Sequence, residues 1–276
     1  MSATTWRGRL RPVFAIAVAA LFAAPLYLAL VNVFKPADVI RAHPLALPGS
    51  DFTTSNVVDA AKLSLVQTGL KTSLIITVGT ILLMVPLSAM VAYYISRWDT
   101  KTARLLMLFL LFGLMLPPQI VLIPTTVILR QMHLMFTYWG VILNFAAYYL
   151  PFGVFVFSGF LRTISRELDE AGAIDGASSF KVFWKIIFPL MRPATASVIV
   201  VTALWTWNDF LTPLIILGAA HGVTITTGIY LAIGTFSINY GQEFGVMFLA
   251  SLPVLALFLL LQRHFVSGLT GGATKG

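Results

Sequence analysis

An all-α integral membrane protein, with six transmembrane helices and one charged cytoplasmic loop carrying a short helix, is the fold class that this sequence predicts. Three observations predict it. Of the 276 residues, 58% are hydrophobic and only 10% charged, with a mean hydropathy of +0.91, far outside the range of soluble domains. The apolar residues gather into stretches near the roughly 20 residues needed to cross a bilayer core of about 30 Å. Between two of those stretches lies a charged island, residues 162–192, which holds Arg162, Arg166, Glu167, Asp169, Glu170, Asp175, Lys181, Lys185 and Arg192.

The six spans are read at residues 12–34, 73–95, 105–129, 138–161, 194–217 and 244–261. Unpaired backbone groups are costly in lipid, and the stretches are too long for barrel strands, so each is expected to be a helix. The first could instead be a cleaved secretory signal, because Arg7, Arg9 and Arg11 precede it and Ala17-Val18-Ala19 resembles a cleavage site. Its apolar run exceeds the roughly 7 to 15 residues of a signal core, which favours a retained helix.

Lys and Arg set the expected orientation. With the N-terminus inside, the inner segments hold Arg7, Arg9, Arg11, Arg97, Lys101, Arg104, the five basic residues of the island, Arg263 and Lys275, while only Lys35, Arg41, Lys62, Lys71 and Arg130 fall outside. The positive-inside bias therefore puts both termini and the island in the cytoplasm. It also accounts for the net charge of +8 without a nucleic-acid partner. The absence of cysteine excludes disulfides and Cys-based metal or redox sites.

One membrane domain over residues 1–276 is the expected organisation. The first outer loop, 35–72, carries Pro36, Pro44 and Pro48, which argue for irregular structure before a surface helix near 56–66. A second stretch, 218–243, reads as a loop. Within the island, residues 165–173 suit a short helix and Asp175-Gly176 a turn at its end. Phe180, Phe183, Trp184 and Ile187 then recur at helical spacing and predict one apolar face, with Lys181 and Lys185 on another. Pro189 and Pro193 close this second helix. The pattern alone equally fits an amphipathic connector lying on the membrane surface.

Glu170-Ala171-Gly172, then Asp175-Gly176, then nine residues, then Ile186-Ile187-Phe188-Pro189 resemble the cytoplasmic signature loop of permease subunits in binding-protein-dependent ABC importers. The family usually has a second alanine where this chain has Gly172. The resemblance extends from about Gly69 through the last span, including Leu116-Pro117-Pro118-Gln119 with Ile123-Pro124, and Trp207-Asn208-Asp209-Phe210-Leu211. The tail at 262–276 is similar to the C-terminus of one of the two permeases in maltose-type carbohydrate importers.

This resemblance implies the type I importer permease fold and half of an alternating-access path for a sugar or sugar-like solute. It implies a second homologous permease, two ATPase subunits and an extracytoplasmic solute-binding protein as partners, in a prokaryotic plasma (inner) membrane. It assigns ATPase coupling to Glu170, Ala171, Gly172, Asp175, Gly176, Phe183 and Pro189, and a tail contact to the ATPase to Gly268 and Lys275. ATP and Mg would be used by the partners. The Gly-rich tail is not itself a phosphate loop, because that motif needs Gly-Lys-Ser/Thr between a strand and a helix, and Lys275 follows Thr274.

Asp209 is the clear acid inside a predicted span, and intramembrane ionisable groups are functional candidates. Thr202, Trp205, Asp209 and Thr212 share a helical face, with Asn208 beside it. Trp205, Asn208, Asp209 and Thr212 are therefore candidates for a substrate path, Trp205 stacking on a sugar ring and the polar groups accepting its hydroxyls. The competing expectation is interhelical packing, with Asn208 and Asp209 bonding neighbouring backbone. Asn144, Tyr148 and Tyr149 are weaker path candidates, since aromatic residues at helical spacing more often pack or anchor. Four scattered histidines lack metal-ligand spacing, and no catalytic constellation is apparent. An ion- or proton-coupled secondary transporter is the alternative; it would predict several intramembrane charges where the spans offer essentially Asp209.

Overall fold

The computed structural model describes residues 4–218, 221–235 and 239–273, whose regular structure is entirely helical. Two compact units divide the chain, one made of Met1–Gln67 and Ile229–Leu252, the other of Thr68–Gly228 and Pro253–Gly276.

In the first unit, α1 (Thr4–Asn32) is followed by α2 (Ala37–Ala42) and α3 (Ser55–Lys62). The irregular structure expected around Pro36, Pro44 and Pro48 gives way to α2, because Pro36 serves as its N-cap, where a missing N–H costs nothing. The expected surface helix at 56–66 is α3, which stops earlier, at the extended Leu63. Asn56 Nδ2 pins the loop by donating to Val33 O (3.0 Å) and Lys35 O (2.7 Å), and Phe34 stacks on Phe52 at 5.2 Å. Lys35 is only 1% exposed. Its ammonium donates to Asn32 Oδ1 and His43 O, both at 3.0 Å, and burial pushes its pKa down.

The second unit is organised on α4 (Ser64–Arg97), from Thr68 onward, and α7 (Tyr138–Leu161). Ser73, Thr77, Thr80, Met84, Ser88 and Ala92 are buried while Leu74, Val78 and Leu82 are exposed, so α4 turns a stripe of mostly small residues inward. Small side chains let helices approach closely where lipid offers no hydrophobic drive. α7 begins at Thr137, whose hydroxyl accepts from Gly140 N at 3.1 Å, and it is the central helix, packing on α5 (Lys101–Leu114), α6 (Pro118–Gln131), α11 (Arg192–Asn208) and α12 (Leu211–Ile216). Phe145, Phe157, Leu161, Phe183, Ile187 and Met191 fill the core.

Two expected spans are not single helices. The stretch 105–129 is α5 and α6, bent by 107°. Pro117 and Pro118 break it: neither supplies an N–H, a proline disfavours the helical region for the residue before it, and Pro117 itself is extended (ψ 134°). Tyr148 OH donates to the freed Leu116 carbonyl at 3.0 Å. The stretch 194–217 likewise ends its first helix at Asn208, with Asp209 extended (ψ 129°) before α12. Among the described residues, four helices are individually long and apolar enough to cross a membrane, or up to six if the α5–α6 pair and the bent pair Ser179–Leu190 with Arg192–Asn208 each count as one.

Between α7 and α11 come α8 (Glu167–Ile174), α9 (Ser179–Val182), a π-helical turn at Phe183–Ile187 and α10 (Phe188–Leu190). The π turn corrects the expected apolar face. Pro189 would press its ring on the carbonyl four residues back in an α-helix, and the wider turn, with Phe188 N bonded to Phe183 O, relieves it. The rotation buries Val182, Phe183 and Ile187 and leaves Phe180 68% exposed. The stretch 218–243, expected as a loop, contains α13 (Ile225–Thr235). Its start is fixed by Thr224 and Thr227, since Thr224 N donates to Thr227 Oγ1 (2.8 Å) and Thr227 N to Thr224 Oγ1 (3.4 Å), a hydroxyl version of the capping box. Finally α14 (Tyr240–Ala273) carries the last span on into the tail as continuous helix.

Candidate functional site

The island is built from its glycine turn outward. Three acids, Glu167, Asp169 and Glu170, occupy the first turn of α8, where they complement the helix dipole. Its other end closes as a Schellman motif: Ala177 N bonds Gly172 O (2.9 Å) and Gly176 N bonds Ala173 O (3.0 Å), with Gly176 at φ +74°. Side chains with a Cβ rarely adopt that conformation. Ser178 then caps α9 by accepting from Lys181 N. Gly172 is buried because α9 lies against it; a Cβ there would stand 2.7 Å from Val182 Cγ2. The glycine in place of alanine thus brings the two helices closer, beyond the loosening of α8 that glycine alone implies.

Of the coupling candidates, Glu170, Ala171, Asp175 and Gly176 are exposed. Gly172 and Phe183 are buried and Pro189 is half-buried, so these three shape the element without forming its outer surface. Ile174, at 86% exposure, was not among the candidates; its signal was a large apolar residue directly before the Asp-Gly turn of a helix whose first turn is acidic.

Sequence reasoning also missed what holds α8. Tyr93 OH donates to Asp169 Oδ1, and Arg97 Nε lies 2.9 Å from Asp169 Oδ2 as an ion pair without the alignment of a hydrogen bond. Both Arg97 Nη atoms reach Ile164 O at 3.3 Å, and Arg166 Nη2 donates to Ser96 O at 3.1 Å. Tyr93 also packs on Phe183 at 5.2 Å. Tyr93, Arg97, Arg166 and Asp169, with Trp98 and Glu170, line a cleft of about 240 Å³.

The path candidates separate into two kinds. Asp209 and Thr212 bond each other: Asp209 Oδ1 accepts from Thr212 N (2.9 Å) and Oδ2 from Thr212 Oγ1 (3.1 Å), so the carboxylate caps α12. The Asp209 carbonyl accepts from Thr226 Oγ1 at 2.9 Å. Trp205 is 42% exposed, with ring centroids 5.1 Å from Tyr149 and 4.7 Å from Phe152. Asn208 is exposed and donates to Leu204 O at 2.8 Å. Because α11 ends at Asn208, the single face expected for Thr202, Trp205, Asp209 and Thr212 does not form, and Thr202 is wholly buried. Asp209 and Thr212 line a narrow pocket with Asn144, Tyr148 and Tyr149. Gly268 lies in the backbone of α14, and Lys275 lies outside the described residues. Among the described residues, no group of three His, Asp or Glu is placed to hold a metal ion.

Apolar helices of membrane-crossing length, two of the expected spans broken, with a clamped helix–turn–helix between them, define a polytopic membrane protein. The chain belongs to the family of inner membrane components of binding-protein-dependent transport systems, whose model matches residues 84–269. It is 34% identical over 254 residues to the probable ABC transporter permease protein YurM of Bacillus subtilis (strain 168), covering 92% of this chain and 84% of that protein. It is 31% identical over 260 residues to the probable starch degradation products transport system permease protein AmyC of Thermoanaerobacterium thermosulfurigenes, covering 94% of each. A chain in the crystal structure of a bacterial ABC transporter involved in the import of the acidic polysaccharide alginate shares the fold, with a TM-score of 0.85, 18% identity and coverage of 96% of this chain and 99% of that one.

Proposed function

We propose that the chain is the permease subunit of an ATP-driven importer for a sugar or sugar-like solute, with α8 and its glycine turn docking an ATPase subunit in the cytoplasm. The observation that carries the docking is the exposed set of Glu170, Ala171 and Ile174 on a helix fixed from behind by Tyr93 and Arg97. An apolar tip ringed by charge on a rigid element is the form of an interaction site. The sugar reading draws support from the similarity to AmyC, a probable permease for starch degradation products.

The complete assembly contains a second homologous permease, two ATPase subunits that use ATP and Mg, and an extracytoplasmic solute-binding protein. Both termini face the cytoplasm, as the Lys and Arg bias favours. Trp205 and Asn208 face the solute path, and Asp209 with Thr212 holds the break beside it. The tail through Gly268 to Lys275 reaches the ATPase pair.

Purification of the tagged chain from its own membranes tests this reading. ATPase subunits should copurify, and hydrolysis should rise with one member of a sugar panel and its binding protein. A purified chain with no ATPase subunit, transporting under an ion gradient alone, would refute it. Cysteines placed at Ser50 and Ser178 in this cysteine-free chain should be labelled from opposite sides of the membrane.

A further inference from the structure

α4 is tied at both ends to segments of different function. At one end, Tyr93 and Arg97 hold Asp169, and Arg97 also spans to Ile164, so the entry to α8 and its first turn are fixed to the same helix. Among the described residues, the polar side-chain ties from α8 to a spanning helix all go to α4. At the other end, Ser73 Oγ accepts from Ile225 N at 2.9 Å, and a Cβ on Gly69 would stand 3.0 Å from Ile225 Cα. The next residue, Thr226, bonds the Asp209 carbonyl at the α11–α12 break.

From Ser73 to Tyr93 an α-helix rises about 30 Å, the thickness of a bilayer core. The connection runs through one continuous helix. Between its ends the ties are sparse. Among the described residues, the wholly buried Thr80 hydroxyl, and that of Thr202 on α11, have no hydrogen-bond partner, and Thr77 meets Thr206 at a long 3.4 Å. A helix bonded at its ends and packed between them by small and apolar side chains, Met84, Ser88 and Ala92 among them, is suited to move as a rod.

We propose that α4 is the strut that carries movement of α8 across the membrane to the segment 224–226 and so to the Asp209 break, with Tyr93, Arg97 and Asp169 as positioning residues at one end and Ser73 at the other. The strut rests on the reading of α8 as the ATPase-docking helix. It differs from simple covalent continuity through α7 in making side-chain bonds, not chain connection, the route of the signal.

The test uses the full complex in lipid vesicles with a spin label on His221→Cys, next to that segment and exposed. ATP binding should change the label's spectrum in the parent. Tyr93→Phe, Arg97→Gln and Ser73→Ala should each weaken that response about tenfold, the scale of a lost hydrogen bond to a charged or buried group, with the ATPase subunits still bound. Arg97→Lys, which keeps the ion pair, should retain most of it. Combining Tyr93→Phe with Ser73→Ala should do no more than either alone, because both cut one route. A parent-sized response in Tyr93→Phe and Arg97→Gln, or additive losses in the double variant, would overturn the strut. No ATP response in the parent would instead overturn the docking reading beneath it.

Discussion

The island at 162–192 and the break at 205–212 each put an acid beside an interrupted helix, yet they hold it differently. Asp169 is bound by Tyr93 and Arg97 from another helix, whereas Asp209 is bound by Thr212, three residues on. The first arrangement links two helices: moving α8 must move α4 or break a charge-assisted contact. The second is self-contained, a local cap that fixes where α11 ends. An intramembrane carboxylate is therefore not evidence of solute contact until its partners are known, and a docking helix is defined as much by its rear attachment as by its exposed front.

Removing the cross-element acid should cost most. Asp169→Ala leaves the nearly buried Arg97 without its counter-charge and is expected to destabilise the protein by about 3 kcal/mol, read as a lower midpoint of thermal unfolding in detergent and as lost transport. If the variant were as stable as the parent, the island would be no more firmly held than the break. Gly176→Val comes next, at roughly 2 kcal/mol for a β-branched residue forced to positive φ. Membrane insertion should persist while uptake falls, since the strain is confined to the Schellman turn.

The break is the milder case. Asp209→Ala should cost about 1 kcal/mol, the usual worth of a helix cap, and Asp209→Asn less, because an amide oxygen still accepts from Thr212 N. A loss of transport in Asp209→Asn at unchanged thermal stability would sharpen the comparison by giving Asp209 a role beyond capping. Asn208→Ala sits at the small end: its side chain is exposed and donates to Leu204 O of its own helix, so stability should change by about 0.5 kcal/mol or less. Any substantial loss of uptake there reports solute contact and not folding.

The helical membrane class is readable because apolar runs of about 20 residues match the thickness of a bilayer core and exceed what a soluble domain buries in one stretch. The span at 138–161 coincides with α7, whose apolar sequence and Thr137 cap carry both signals. The breaks are harder. Averaged over a window, Pro117-Pro118 and Asp209 barely lower hydropathy, but each stops a helix through backbone chemistry that hydropathy does not measure. α13 is hidden because its cap is a pair of threonines, residues equally at home in loops. At the island, Gly176 announces the turn locally. The Tyr93–Asp169 contact spans 76 positions, and Arg97 reads naturally as a topology signal, so nothing in the local pattern marks them as a clamp. The π turn at Phe183–Ile187 escapes for a related reason: Pro189 signals an end to the helix, when it also reshapes the turn before it.

The central claim is that the clamped helix α8 presents its exposed tip to an ATPase subunit. A photo-crosslinking residue at Ile174, in the assembled complex within native membranes, tests it most directly. The expected result is a covalent product with the ATPase subunit, diminished in the Gly176→Val background. Crosslinks only to lipid or to the companion permease, in a complex that still contains its ATPase subunits, would contradict it.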